Sequence, residues 1–162
     1  MLTGVVGGAG TFVAGWLAGL MSKRDLRWFA YVAAIGKGVL VPFLVWFFWI
    51  QDFRWAVIAY LVPAFFSGFY LAPTFALIQS LVRPEMRAVA AAITLFMMSM
   101  IGMGLGPQGV GIMSDLLSEQ YGRESLRYTL MAFGMVNLWC AFHYFLAART
   151  LNEDIARVKK AL

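Results

Sequence analysis

Three groups of residues have the types and spacing to do chemistry. The stretch GLGPQG, Gly104 to Gly109, fits G-x-G-x-x-G, the spacing with which backbone N–H groups cradle a nucleotide phosphate. Lys37 is a lone cation between Gly36 and Gly38 in an apolar run. Tyr60, Ser67, Tyr70 and Thr74, with Pro63 between the first two, recur at helical spacing and so share one face, where their hydroxyls could line a polar cavity. Other chemistries lack their parts. Cys140 is the single cysteine and His143 the single histidine, so neither a disulfide nor a clustered metal site is expected. No nucleophile–base pair stands out, and no cofactor or enzymatic activity is expected.

The elements that must hold these residues are written in hydropathy. The 162 residues are 62% hydrophobic and 13% charged, against about 25% charged in ordinary soluble domains. Apolar runs cover about 2–21, 28–50, 55–81, 88–113 and 128–148. Each can cross ~30 Å of hydrocarbon as a helix of about 20 residues. Barrel strands are shorter and alternate in polarity, which these runs do not. The expected fold is therefore all-α: a polytopic membrane bundle of five transmembrane helices over residues 1–149, with a tail over 150–162. Residues 1–21 lack the basic start of a signal peptide. The net charge of +5 does not point to nucleic acid, because the cations sit in the gaps between spans.

Those gaps orient the chain. Lys23, Arg24, Arg27, Arg83, Arg87, Arg149, Arg157, Lys159 and Lys160 fall on one side of a five-span layout, and only Arg54, Arg123 and Arg127 on the other. The positive-inside rule makes the richer side cytoplasmic, with the N-terminus outside and the C-terminus inside a plasma or inner membrane. Trp28, Trp46, Trp49 and Trp55 mark span edges as interface anchors. Lys37 lies nine residues past Trp28, about 13 Å along a helix. A charge at that depth calls for a substrate or ion role, snorkelling or a structural partner. No Asp or Glu lies in the middle of a span, so this segment offers no buried carboxylate for proton relay.

Placed on this layout, GLGPQG is not a phosphate loop. It lies inside span four, is interrupted by Pro107, and has no strand before it. Ala88, Ala92, Ser99, Gly102, Gly106 and Gly109 instead form a small-residue stripe at helical spacing, suited to helix packing, and glycine with Pro107 suits a hinge. Gly4 with Gly8 and Gly15 with Gly19 repeat the small-xxx-small pattern in span one. Pro63 and Pro73 weaken span three locally. Gln108 adds a further polar group for a cavity. The outer segment SDLLSEQYGRESLR is expected to hold a short helical turn, with Ser125 capping span five. In the tail, Thr150 is a candidate N-cap, and Leu151, Ile155, Val158 and Leu162 make one apolar face suited to the cytoplasmic membrane surface.

Several segments resemble the major facilitator superfamily of transporters. RPEMRAVAAA resembles the turn before its eleventh helix. IGMGLGPQGVGIMSD, Ile101 to Asp115, resembles that helix in the spinster-like branch, and GWLAGLMSKRDLRW, Gly15 to Trp28, resembles the loop joining helices eight and nine. The resemblance implies that the five spans are helices eight to twelve of the C-terminal half. It also implies a missing N-terminal half, on the same or a separate chain, and alternating access for a small organic or amphiphilic, lysolipid-like solute. In that family helix ten lines the cavity, which implies such a role for Tyr60, Ser67, Tyr70 and Thr74. Lys23, Arg24, Asp25, Arg83 and Arg87 are candidates for a cytoplasmic gate. Gly19 and Leu20 stand where the family loop usually has an acidic and a basic residue. A stand-alone or split-partner scaffold without transport is the alternative. The expected partners are the lipid bilayer, the other transporter half and the solute.

Overall fold

The computed structural model describes residues 2–160. Among them there is no strand. The α-helices are α1 (Leu2–Ser22), α2 (Trp28–Trp49), α3 (Phe53–Ser67), α4 (Leu71–Ser80), α5 (Arg87–Met97), α6 (Gly106–Tyr121) and α7 (Ser125–Lys160), with a π-helical stretch over Met98–Leu105. α2 is central. It packs on α1, α3, α4 and α7, while α6 lies against α7.

Four continuous helical stretches are long and apolar enough to cross a membrane: Thr3–Ser22, Trp28–Trp49, Phe53–Ser80 and Pro84–Val158. The sequence reading expects five. The difference arises at residues 122–124, where the link between the last two runs is itself a helical turn. The fourth stretch has 75 residues, about 110 Å at helical rise. It reverses at Gly122, whose φ of 52° lies in the left-handed region that suits glycine, and α6 then packs back on α7.

Three local features refine or correct the hydropathy reading. The third run is not one regular helix, because residues 68–70 form a turn closed by bonds from Phe69 N to Phe66 O and from Leu71 N to Gly68 O. The outer segment holds the expected short helical turn, at Gly122–Glu124, but is mostly α6 itself, which runs to Tyr121. Thr150 is no N-cap, since α7 continues without a break from Ser125 to Lys160.

Small residues make the core. Ala14, Ala18, Ala30, Ala33 and Ala59 are fully buried, whereas many large apolar side chains face outward, among them Phe12, Trp16, Phe53 and Met103. That is the economy of a bundle in lipid, where close backbone approach replaces hydrophobic collapse. The α1–α3 contact shows it. A Cβ on Gly10 would stand 1.8 Å from the Phe65 carbonyl oxygen. Gly4, Gly8 and Gly19 meet nothing, so the packed face of α1 runs through Gly7, Gly10, Ala14 and Ala18. Both faces carry small residues, and spacing alone does not choose between them.

The π stretch has a local cause. Pro107 opens α6, lacks an N–H, and its ring crowds the carbonyl four residues back. Upstream, the Gly106 N–H reaches Ile101 O, five residues back.

Candidate functional site

One group of polar residues in the bundle gathers around Lys37. A Cβ on Gly36 would stand 2.5 Å from Phe69 Cβ, so this glycine lets the 68–70 turn settle on α2. Tyr70 follows directly, and its ring centroid lies 4.0 Å from Lys37 Nζ, a cation–π contact. From α7, Asn137 Oδ1 accepts a hydrogen bond from Lys37 Nζ at 3.2 Å. Asn137 Nδ2 donates to Gly134 O at 3.0 Å, which turns the amide oxygen toward the ammonium. One turn past Tyr70, Thr74 Oγ1 bonds the Tyr70 carbonyl and lies 2.6 Å from the Tyr144 hydroxyl of α7. Lys37, Tyr70, Thr74, Asn137 and Tyr144 thus form one cluster joining α2, α4 and α7.

The cluster has a cation and no anion. Among the described residues, the ion pairs are Arg127 with Glu124 and Arg157 with Asp154, both outside this cluster. A ring face and an amide oxygen offset part of the cost of holding a partly buried ammonium away from water. What remains is a positive, hydroxyl-rich site that suits an anion or a neutral acceptor. Beside it, between α4 and α7, lies an open groove of about 360 Å³ lined by Leu77, Trp139, Cys140, His143, Tyr144 and Ala147. Its walls are mainly apolar, as in small-molecule sites. His143 Nδ1 lies 2.9 Å from Trp139 O and its ring 4.5 Å from the Trp139 ring, the packing of a structural histidine.

The other candidates lie apart. Tyr60 packs on Phe47 and its hydroxyl lies 3.5 Å from Thr3 Oγ1. Ser67 bonds the Ala64 carbonyl of its own helix at 2.7 Å. Gln108 is exposed on α6. A Cβ on Gly102 would meet nothing, and one on Gly106 only Ile101 O of the neighbouring turn; Gly109 alone of these three faces another helix, with a Cβ 3.3 Å from Phe133. Asn137 and Tyr144 are the residues that sequence reasoning missed. The signal was present: Asn137 is the only Asn, Asp, Glu, Lys, Arg or Gln in the run 128–148.

At the cytoplasmic side of the expected layout, Lys23 and Arg24 are exposed. Asp25 Oδ1 accepts from the Arg27 backbone N–H at 3.0 Å and from Asn152 Nδ2 of α7 at 3.1 Å. These bonds, the Arg27 N–H foremost, hold its carboxyl below the usual carboxylate range. Leu151 and Ile155, on either side of Asn152, are buried. The last turns of α7 are therefore tied to the loop between α1 and α2.

These features define an all-helical protein with the length and apolarity to cross a membrane several times and an internal polar cluster. No protein-family model matches the chain. The chain is 36% identical over 157 residues to an MFS-type efflux pump of Mycolicibacterium smegmatis (strain ATCC 700084 / mc(2)155), an alignment that takes in 96% of this chain and 36% of that protein. The chain thus spans about a third of the length of the curated relative it matches. The likeness to a protein named for transport agrees with helices long and apolar enough to cross a membrane.

Proposed function

We propose that the chain is five membrane passes of the C-terminal half of a major facilitator transporter, of the spinster-like branch. In this reading the whole transporter extrudes a small organic or amphiphilic solute by rocking two halves about a midplane site. The observation that carries the reading is the Lys37 cluster: a cation with two neutral partners, at membrane depth, beside an apolar groove, in a chain similar to an MFS-type efflux pump. Lys37, Tyr70 and Thr74 meet the solute, with Asn137 and Tyr144 positioning them. Tyr60, Ser67 and Gln108 line the path nearer its ends. Lys23, Arg24, Asp25, Arg83 and Arg87 form the cytoplasmic gate, with the N-terminus outside. A lysine without a carboxylate favours neutral or anionic solutes over cations.

The test is efflux from sealed vesicles. The chain alone is expected to move no solute. Joined to the other half of an MFS-type transporter, it is expected to extrude a neutral or anionic fluorescent solute, and Lys37→Met to slow this about tenfold, the loss of one charge-assisted contact. Transport by the chain alone, or full activity of Lys37→Met, refutes the reading.

One observation favours a second reading, a membrane scaffold without transport. Tyr70 and Thr74 already find partners inside this chain. Cross-linkers placed at Tyr60, Ser67, Tyr70 and Thr74 separate the two. A transporter half links to its partner half, and a scaffold links only within itself or to copies of itself.

A further inference from the structure

We infer that the cleft between the end of α1 and the start of α2 binds the phosphodiester head group of an anionic phospholipid. The cleft has a volume of about 260 Å³ and is lined by Leu20, Met21, Arg24 and Trp28. Three apolar side chains and one guanidinium match the two chemistries of a phospholipid at its glycerol level. Arg24 is exposed and lines the cleft. Among the described residues no carboxylate pairs with Lys23, Arg24 or Arg27. Arg27 stands at the other end of the loop, outside the lining of the cleft; its buried Nε has no hydrogen-bond partner among the described residues, and a phosphate oxygen would satisfy that donor once the side chain turns toward the cleft. The loop's acid, Asp25, takes its hydrogen bonds from the Arg27 backbone and from Asn152 rather than from a guanidinium, and the cation whose charge acts on it is Arg27, not Arg24.

The surface below the cleft selects a lipid over a free phosphate. Phe12, Trp16 and Leu20 stand at four-residue intervals on α1 and are 76%, 58% and 43% exposed. They form an apolar ridge running from the cleft along the helix into the hydrocarbon. Gly8 and Gly19 on the same helix have open space above them and leave room for an acyl chain. Trp28, the first residue of α2, sits where an indole meets the head-group layer.

The full chain, purified in detergent and mixed with phosphatidylglycerol or phosphatidylcholine, is examined by native mass spectrometry. The wild-type chain is expected to retain phosphatidylglycerol in preference to phosphatidylcholine. Arg24→Gln and Arg27→Gln are each expected to weaken that retention about tenfold, the scale of one charge-assisted contact, while Arg54→Gln at the opposite end leaves it unchanged. Inorganic phosphate in millimolar excess is expected not to displace the lipid. Equal retention of the two lipids by wild type overturns the proposal, and does so even if the arginine variants fail to fold. Unchanged retention by folded Arg24→Gln and Arg27→Gln, or displacement by inorganic phosphate, overturns it as well.

Discussion

Two limbs of the chain, α1 and the stretch from Arg87 to Tyr121, use small residues in opposite ways. In α1 they are consumed: Gly10, Ala14 and Ala18 are pressed against neighbouring helices, and the Gly10 backbone comes too close to Phe65 for any side chain. In the limb from Arg87 to Tyr121, a comparable series of alanine, serine and glycine leaves no residue buried. Spacing marks a surface fit for close approach, but the occupant of that surface lies elsewhere in the sequence. A small-residue stripe is therefore a statement about permitted distance rather than about contact.

The sharpest way to break this comparison is substitution on both sides of it. Gly10→Leu forces a side chain into the Phe65 backbone and is expected to destabilise the bundle by about 3 kcal/mol or more, the upper range for overpacking. Gly102→Leu, with open space at its Cβ, is expected to change stability by less than about 0.5 kcal/mol, as for surface sites. Unfolding in mixed detergent, followed by circular dichroism, reads both; equal effects would end the distinction. A middle effect is expected where the α2–α7 contact carries charge. Asn137→Leu removes the amide acceptor of Lys37 and is expected to cost about 1–2 kcal/mol, whereas adding Lys37→Met recovers most of it. A double-mutant cycle measures this, and additive losses would mean that the two side chains are not coupled.

The smallest effect belongs to the Asp25–Asn152 tie. Asp25 has a lowered carboxyl pKa, so its contribution is present above the ordinary carboxylate pKa and is lost as pH falls through the lowered value. Hydrogen exchange in the last turns of α7 is expected to match wild type at neutral pH and to quicken in acid below the usual carboxylate range, after correction for the intrinsic rate. Asp25→Asn is expected to flatten that dependence. A profile unchanged by the substitution would remove Asp25 as its cause.

The start of each apolar run was legible in hydropathy to within a few residues. α1 and α2 match their runs closely, whereas the last two helical limbs extend well beyond theirs, to Tyr121 and Lys160. Polar residues there stay helical because nothing forbids it: Arg149, Thr150 and Leu151 are all compatible with α7, and buried Leu151 and Ile155 reward its continuation. The turn at 68–70 was hidden because Gly68 sits in an unbroken apolar run, and what shapes it there is Thr11, whose hydroxyl lies 3.3 Å from Gly68 O. Lys37, Tyr70 and Thr74 could be picked out because each is polar in apolar surroundings. Their partners could not be paired with them, since Asn137 is 100 residues from Lys37 and Tyr144 is 70 from Thr74. Tyr60 and Ser67 kept the right spacing but turned to neighbours of their own.

The π stretch at Met98–Leu105 has a consequence for phase. One additional residue within a helix advances everything after it by about 100° around the axis. Residues upstream and downstream of the stretch are thus out of step, and a column of letters drawn at regular intervals from Ala88 to Gly109 winds around the rod. Gly102 looks into open space while Gly109 looks at Phe133, two compass bearings on what reads as a single line.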